Sequence, residues 1–175
     1  MSGLTHAVIG ANAIWIASVY GVVDQNTALL AGVGAIAGLL PDIDASSAKI
    51  HYLFGQFLSV FKGRHSGIFE HRGIFHSILS VIIIFVFSFI FLRQYNLLLP
   101  LVITIGYASH ILIDGLNTGV GYFFPFNRQR YALVPKFLRS KVKGPVDQAL
   151  FILGTVSLLF FFLINIKAIA DTVVF

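Results

Sequence analysis

Residues 77–92 read SILSVIIIFVFSFIFL, a run with no charged side chain and serine as its sole polar residue. Such a segment cannot turn one stripe to water and another to a core. It is apolar all round, which is the pattern of a helix buried on every side, in protein or in lipid. A second stretch of this kind, ALFILGTVSLLFFFLI, occupies residues 149–164. The whole chain agrees: of 175 residues, 57% are hydrophobic and 11% charged, and mean hydropathy is +0.89. Soluble domains carry roughly a quarter charged residues, so an ordinary soluble domain is excluded. An all-α, polytopic integral membrane bundle is expected.

Crossing a hydrocarbon core of about 30 Å takes ~20 helical residues. Formally uncharged runs near that length occupy 1–23, 25–41, 73–92, 94–113 and 148–166. This predicts about four to five transmembrane helices in a single domain, 1–175, with no linker-like segment dividing it. The first two runs are rich in Gly and Ala, which suits helices packed against neighbours. The N-terminus, MSGLTHAVIGANAIW, has no basic region ahead of its apolar stretch, so that stretch is expected to be retained structure and not a signal peptide.

Two longer connections, 42–72 and 114–147, fall on one side of such a bundle. They hold ten of the 12 Lys and Arg residues: Lys49, Lys62, Arg64, Arg72, Arg128, Arg130, Lys136, Arg139, Lys141 and Lys143. The positive-inside rule makes that side cytoplasmic, with the N-terminus inside and the C-terminus outside. Within these connections Ile50, Leu53, Phe54, Phe57 and Phe61, and then Leu133, Val134, Phe137, Leu138 and Val142, suggest helices lying in the interface. The net charge of +5 is read as a match to anionic lipid, and nucleic acid is not the expected partner.

Cysteine is absent, so any metal must be held by imidazole and carboxylate. The histidines and acids converge on one face. His6 opens the first run, Asp42 and Asp44 follow Pro41, His71 and His76 straddle the start of the third run, and His110 and Asp114 close the fourth. That sidedness came from Lys and Arg alone. His110 and Asp114 are four apart and share a helix face. A locally extended chain is expected at LLPDIDAS, where one of Asp42 and Asp44 could ligate and the other orient a neighbour, and Gly73 could break the backbone between His71 and His76. Singly, a histidine is more often a hydrogen-bonded helix end than a ligand. Ionisable residues gathered in or beside spans are costly and point to function. A His/Asp set suits zinc first, then manganese or iron, as one ion or as two ions about 3.5–4 Å apart. His51 and His65, beside Lys and Arg, read as solvated or headgroup contacts.

THAVIG, LLPDID, HRGIFHS and GYASHILIDGLNTGVGYFFPF, in this order between His6 and Phe126, together resemble the YdjM-like family, described as LexA-binding, inner-membrane-associated metal-dependent hydrolases. The resemblance implies a prokaryotic multi-span protein with a divalent metal site formed by His6, Asp42, Asp44, His71, His76, His110 and Asp114. A more distant likeness is to zinc-dependent phospholipase C and related single-strand nucleases. Those enzymes supply further histidines after the HxxxD pair, and this chain has none beyond His110.

The leading expectation is therefore a membrane-bound hydrolase of a phosphoester in a lipid or lipid-linked substrate. Asp44 or Glu70 would accept the proton of water, and Arg72 or Arg128 would hold the anionic group. A non-catalytic scaffold with a structural metal is one alternative. A metal or proton transporter is another, but transporters place polar groups near the midplane, where these spans offer scattered Ser, Thr and Tyr.

Overall fold

The computed structural model describes residues 1–23, 26–44, 73–117, 119–135, 139 and 143–173. Its helices are α1 (Gly3–Val19), α2 (Thr27–Ala37), α3 (Ile78–Leu92), α4 (Leu98–Asn117) and α5 (Pro145–Val173), with 3-10 turns at Leu40–Asp44 and Ile74–His76. Among the described residues the chain is all-helical apart from an isolated antiparallel bridge between Val120 and Tyr131. α1, α2 and α4 pack on one another, α3 lies on α4 and α5 lies on α1. The beginnings of α1, α3 and α5 and the ends of α2 and α4 meet at one pole of the bundle, because consecutive helices alternate in direction.

Three glycines fix how closely the central helices approach. A Cβ on Gly10 of α1 would collide with the Gly34 carbonyl of α2, and one on Gly106 of α4 would lie 2.5 Å from that same oxygen. Gly34 itself faces Ile14 and the Gly10 carbonyl. The backbones touch where a side chain would hold them apart, the usual route to tight helix pairs where lipid supplies no hydrophobic drive. Ile14, Trp15, Leu30, Ala31 and Val102 fill the core around this crossing.

The outside of the bundle is apolar. Ile82, Ile83, Val86, Phe87 and Phe91 on α3, and Ile152, Leu153, Val156, Phe160 and Leu163 on α5, are exposed. A contiguous apolar exterior of this kind has no place in water and matches lipid tails. By length and composition, Leu98–Leu116 and Pro145–Asn165 can each cross a membrane, whereas α1, α2 and α3 are apolar but shorter. α3 is short because the chain before Ile78 is used otherwise: Ser77 caps the helix, accepting from Ser80 N at 3.2 Å, and Ile74–His76 is a separate 3-10 turn.

Several expectations change in detail. The second helix ends at Ala37 with Gly38 as its cap, ahead of Pro41, and the LPDID stretch is a 3-10 turn where an extended chain was expected. The fourth helix runs on to Asn117, so Asp114 lies within it. Leu133 and Val134 sit in a bend and not in a helix, while the proposed interfacial helix around Ile50 to Phe61 and the residues Phe137, Leu138 and Val142 lie outside the described residues.

Asp147, at the start of α5, ties that helix to α1. Its buried carboxylate accepts from Thr5 Oγ1 at 2.6 Å, from Ser2 N at 3.0 Å and from Lys143 N at 2.7 Å. Asp147→Ala leaves these donors without an acceptor and is expected to cost about 2–4 kcal/mol. A melt of the detergent-solubilised protein should fall by several degrees, with partial recovery in Asp147→Asn. A melt within a degree of wild type would contradict this role.

Candidate metal centre

Four of the five helix ends at this pole, with the turns beside them, deliver one or two donors each. On α1, Ser2 Oγ accepts from Thr5 N at 3.3 Å and caps the helix, so that His6 in the first turn faces inward. Beyond α2, the 3-10 turn carries Asp42 back over the bundle, held by Asp42 N donating to Leu39 O at 3.3 Å. Ahead of α3, His76 closes the Ile74–His76 turn, which is pinned by Ser77 Oγ donating to Ile74 O at 2.7 Å. On α4, His110 and Asp114 stand one turn apart on the same face.

These side chains meet. His6 Nε2 lies 3.3 Å from Asp114 Oδ1; His76 Nε2 lies 3.7 Å from Asp42 Oδ1 and 3.8 Å from Asp114 Oδ2. His110 Nε2 lies 3.6 Å from Asp42 Oδ1 and 4.0 Å from Asp114 Oδ2. The His6 and His110 rings stack with centroids 3.6 Å apart, and the Met1 amino group pairs with Asp114 Oδ1 at 3.1 Å. His6, His76, His110 and Asp114 are buried, while Asp42 keeps 18% of its side-chain surface exposed. Asp42 is thus the member that faces outward.

The donor chemistry fits a cation. His110 Nδ1 is 2.7 Å from the Gly38 carbonyl, which can only accept, so Nδ1 carries the proton and Nε2 of the neutral ring presents its lone pair. Yet Nε2 makes no hydrogen bond among the described residues, and the carboxylate oxygens of Asp42 and Asp114 lie beside it. The Met1 ammonium already sits on Asp114 Oδ1, and a bound cation could satisfy the acceptors that still face one another in this buried pocket. Two donor sets, His6 with Asp42 and His110, and His76 with His110 and Asp114, each have their ligand atoms within 4.8 Å of one another. Metal bonds of ~2.1 Å at tetrahedral angles put ligand atoms about 3.4 Å apart, close to the separations found. The Gly38 contact is of the kind that orients an imidazole able to ligate a metal.

Two titrating groups outside the spans reflect this setting. Burial raises the Asp42 carboxyl, but the His76 imidazole beside it and the nearby His110 and His6 outweigh burial and hold it down to about 2. Burial and then the Asp114 charge push the Tyr122 phenol up, so it stays a protonated donor.

Of the residues singled out from sequence, His6, Asp42, His76, His110 and Asp114 are brought together. Asp44 has its backbone in the same turn as Asp42, with its side chain outside the described atoms; His71, Glu70 and Arg72, like His51 and His65, lie outside the described residues. Arg128 is exposed in the loop after α4. Sequence reasoning missed the Gly38 carbonyl, the Thr5–Asp147 tie and Tyr122. No local pattern marks them, since each acts through a partner distant in sequence.

Comparison with known proteins also points to the membrane. Residues 1–170 match the family model described as YdjM inner membrane protein. Over 126 residues, covering 71% of this chain and 74% of the relative, the sequence is 31% identical to the Bacillus subtilis (strain 168) protein named "Uncharacterized protein YvsG". No solved structure matches the chain. With its apolar exterior and a family model spanning nearly its full length, the chain belongs to the YdjM family of inner membrane proteins.

Proposed function

We propose that this membrane protein is a metal-dependent hydrolase of a phosphoester in a lipid or lipid-linked substrate at the cytoplasmic interface. The observation that carries the reading is the buried lone pair of His110 Nε2 facing two carboxylates. His6, Asp42, His76, His110 and Asp114 would hold the ion, with zinc favoured by the imidazole-rich set and manganese or iron next. The chemistry a bound divalent ion supplies is charge stabilisation at a phosphoryl oxygen and a more acidic water.

The protein's own groups do the rest. Asp42, partly exposed, gives substrate its way in. Asp44 or Glu70 takes the proton from water, and Arg72 or Arg128 holds the remaining phosphate charge. The pole where helix ends meet would lie at the headgroups, which favours a lipid or lipid-linked ester over a soluble one. The alternating helix directions support four to five crossings, since α1 and α3, about 26 and 23 Å long at 1.5 Å per residue, can span a locally thinned bilayer. The Lys and Arg distribution supports a cytoplasmic pole.

A second reading has its own support. Structural metal sites are closed by protein ligands, and most of these donors are buried, as in a staple joining helix ends in a scaffold. Turnover separates the two. Metal-loaded protein should cleave phosphate monoesters of lipids in mixed micelles, with activity lost to a chelator and reduced by at least about tenfold in Asp42→Asn. Full metal occupancy with no turnover across phosphomonoester and phosphodiester lipids would leave the scaffold.

A further inference from the structure

The loop after α4 holds a polar group that no part of this scheme uses. The Tyr122 hydroxyl is buried and makes no hydrogen bond among the described residues. It rests directly over Gly115, next to Asp114 in sequence, so that a Cβ at position 115 would collide with it. The ring packs with Tyr107, Ile111 and Val120, an apolar setting. Its neighbour Tyr107 satisfies its own hydroxyl by donating to Phe75 O at 2.6 Å.

The backbone fixes this placement. Ile78 N donates to Tyr122 O at 2.9 Å, Val120 and Tyr131 exchange N–H···O bonds of 2.9 Å, and Leu133 N donates to Gly115 O at 2.8 Å. The loop is therefore strapped across both the start of α3, which follows His76, and the last turn of α4, the helix that carries His110 and Asp114. A buried donor left unmade is destabilising, and its retention in a pinned position needs a reason. The phenol is neutral, so it can approach an anion without adding a charge to be desolvated.

We propose that Tyr122 is a ligand-binding residue, donating a hydrogen bond from its phenol to a non-bridging oxygen of a phosphate group held at the His/Asp cluster. The inference rests on the phosphoester reading above. Gly115 acts as the positioning residue, because hydrogen alone at that Cα leaves room for the hydroxyl. The phosphate belongs either to a lipid headgroup or to free phosphate, and the same donor serves both.

The test is calorimetric titration of metal-loaded, detergent-solubilised protein with inorganic phosphate in one arm and phosphatidic acid in mixed micelles in the other. For Tyr122→Phe, metal content and melting temperature should match wild type, or the melt should rise slightly, while affinity falls roughly tenfold or more, the loss expected for a hydrogen bond to a charged group. Gly115→Ala should weaken binding when made in the wild type and do so much less when combined with Tyr122→Phe, where the colliding oxygen is gone. In wild type, tighter binding of phosphatidic acid identifies a lipid headgroup and equal binding identifies free phosphate; the tyrosine assignment stands with either. Unchanged affinity in Tyr122→Phe with wild type binding overturns the assignment alone. Loss of metal or a lowered melt in Tyr122→Phe also overturns it, making the phenol structural. If metal-loaded wild type binds neither probe, the phosphoester reading falls and takes the assignment with it.

Discussion

His110→Ala is expected to weaken divalent-metal binding by more than about a hundredfold, the upper end of what losing an outer-shell partner does. His110 belongs to both donor sets, so its removal leaves neither triad complete. Alanine also frees the Gly38 carbonyl and removes the ring that stacks on His6. Two carboxylates then face one pocket with one imidazole donor fewer to share a cation. Asp114→Asn keeps the shape and removes the charge, and should lose affinity comparably. Titration of the apo protein with zinc and manganese in detergent measures both variants. Affinity within a few-fold of wild type would show that the lone pair of His110 Nε2 is not used.

Gly34→Leu is expected to abolish the folded bundle. No rotamer relieves the collision, because the obstruction is met at Cβ, by Ile14 and the Gly10 backbone. The helices must separate, at a cost above about 4 kcal/mol, the range reserved for severe core disruption. His6, Asp42 and His110 sit on or beside the helices so displaced, and metal binding should be lost together with the fold. Gly32 on the same helix is the control. Nothing lies within 4 Å of a Cβ there, so Gly32→Ala should stabilise by about 0.5–1 kcal/mol through helix propensity. Thermal melts and gel filtration of the two variants report the contrast. A folded Gly34→Leu protein with a wild-type melt would contradict the packing described.

How far the sequence carries depends on the kind of interaction. Apolar runs without charge declare themselves, and the helices at 78–92 and 145–173 fall close to where SILSVIIIFVFSFIFL and ALFILGTVSLLFFFLI place them. Ionisable residues near such runs are equally legible, because burying them costs free energy that an accident would not sustain. His6, Asp42, His76, His110 and Asp114 stand out in that way, and the four-residue spacing places the last pair on one helix face. Boundaries are harder. Pro41 suggests the end of α2, but Gly38 ends it three residues earlier, and α1 and α3 are shorter than their apolar runs.

Contacts between backbone and side chain are out of reach. The Gly38 carbonyl meets His110 because α2 and α4 cross at Gly34 and Gly106, a closeness that no pattern within either helix states. Tyr122 is similar, since its position depends on Gly115 and on Ile78 N, both outside its own local pattern. Asp147 reads as the edge of a polar connection and is instead a buried clasp on α1.

The most direct test of the central claim is the metal content of the wild-type protein, purified in detergent without added chelator and measured by inductively coupled plasma mass spectrometry. One or two equivalents of zinc, manganese or iron per chain are expected, removed by a chelator and regained on reconstitution. Protein that holds no transition metal after purification, and takes up none on reconstitution while folded, would contradict that claim.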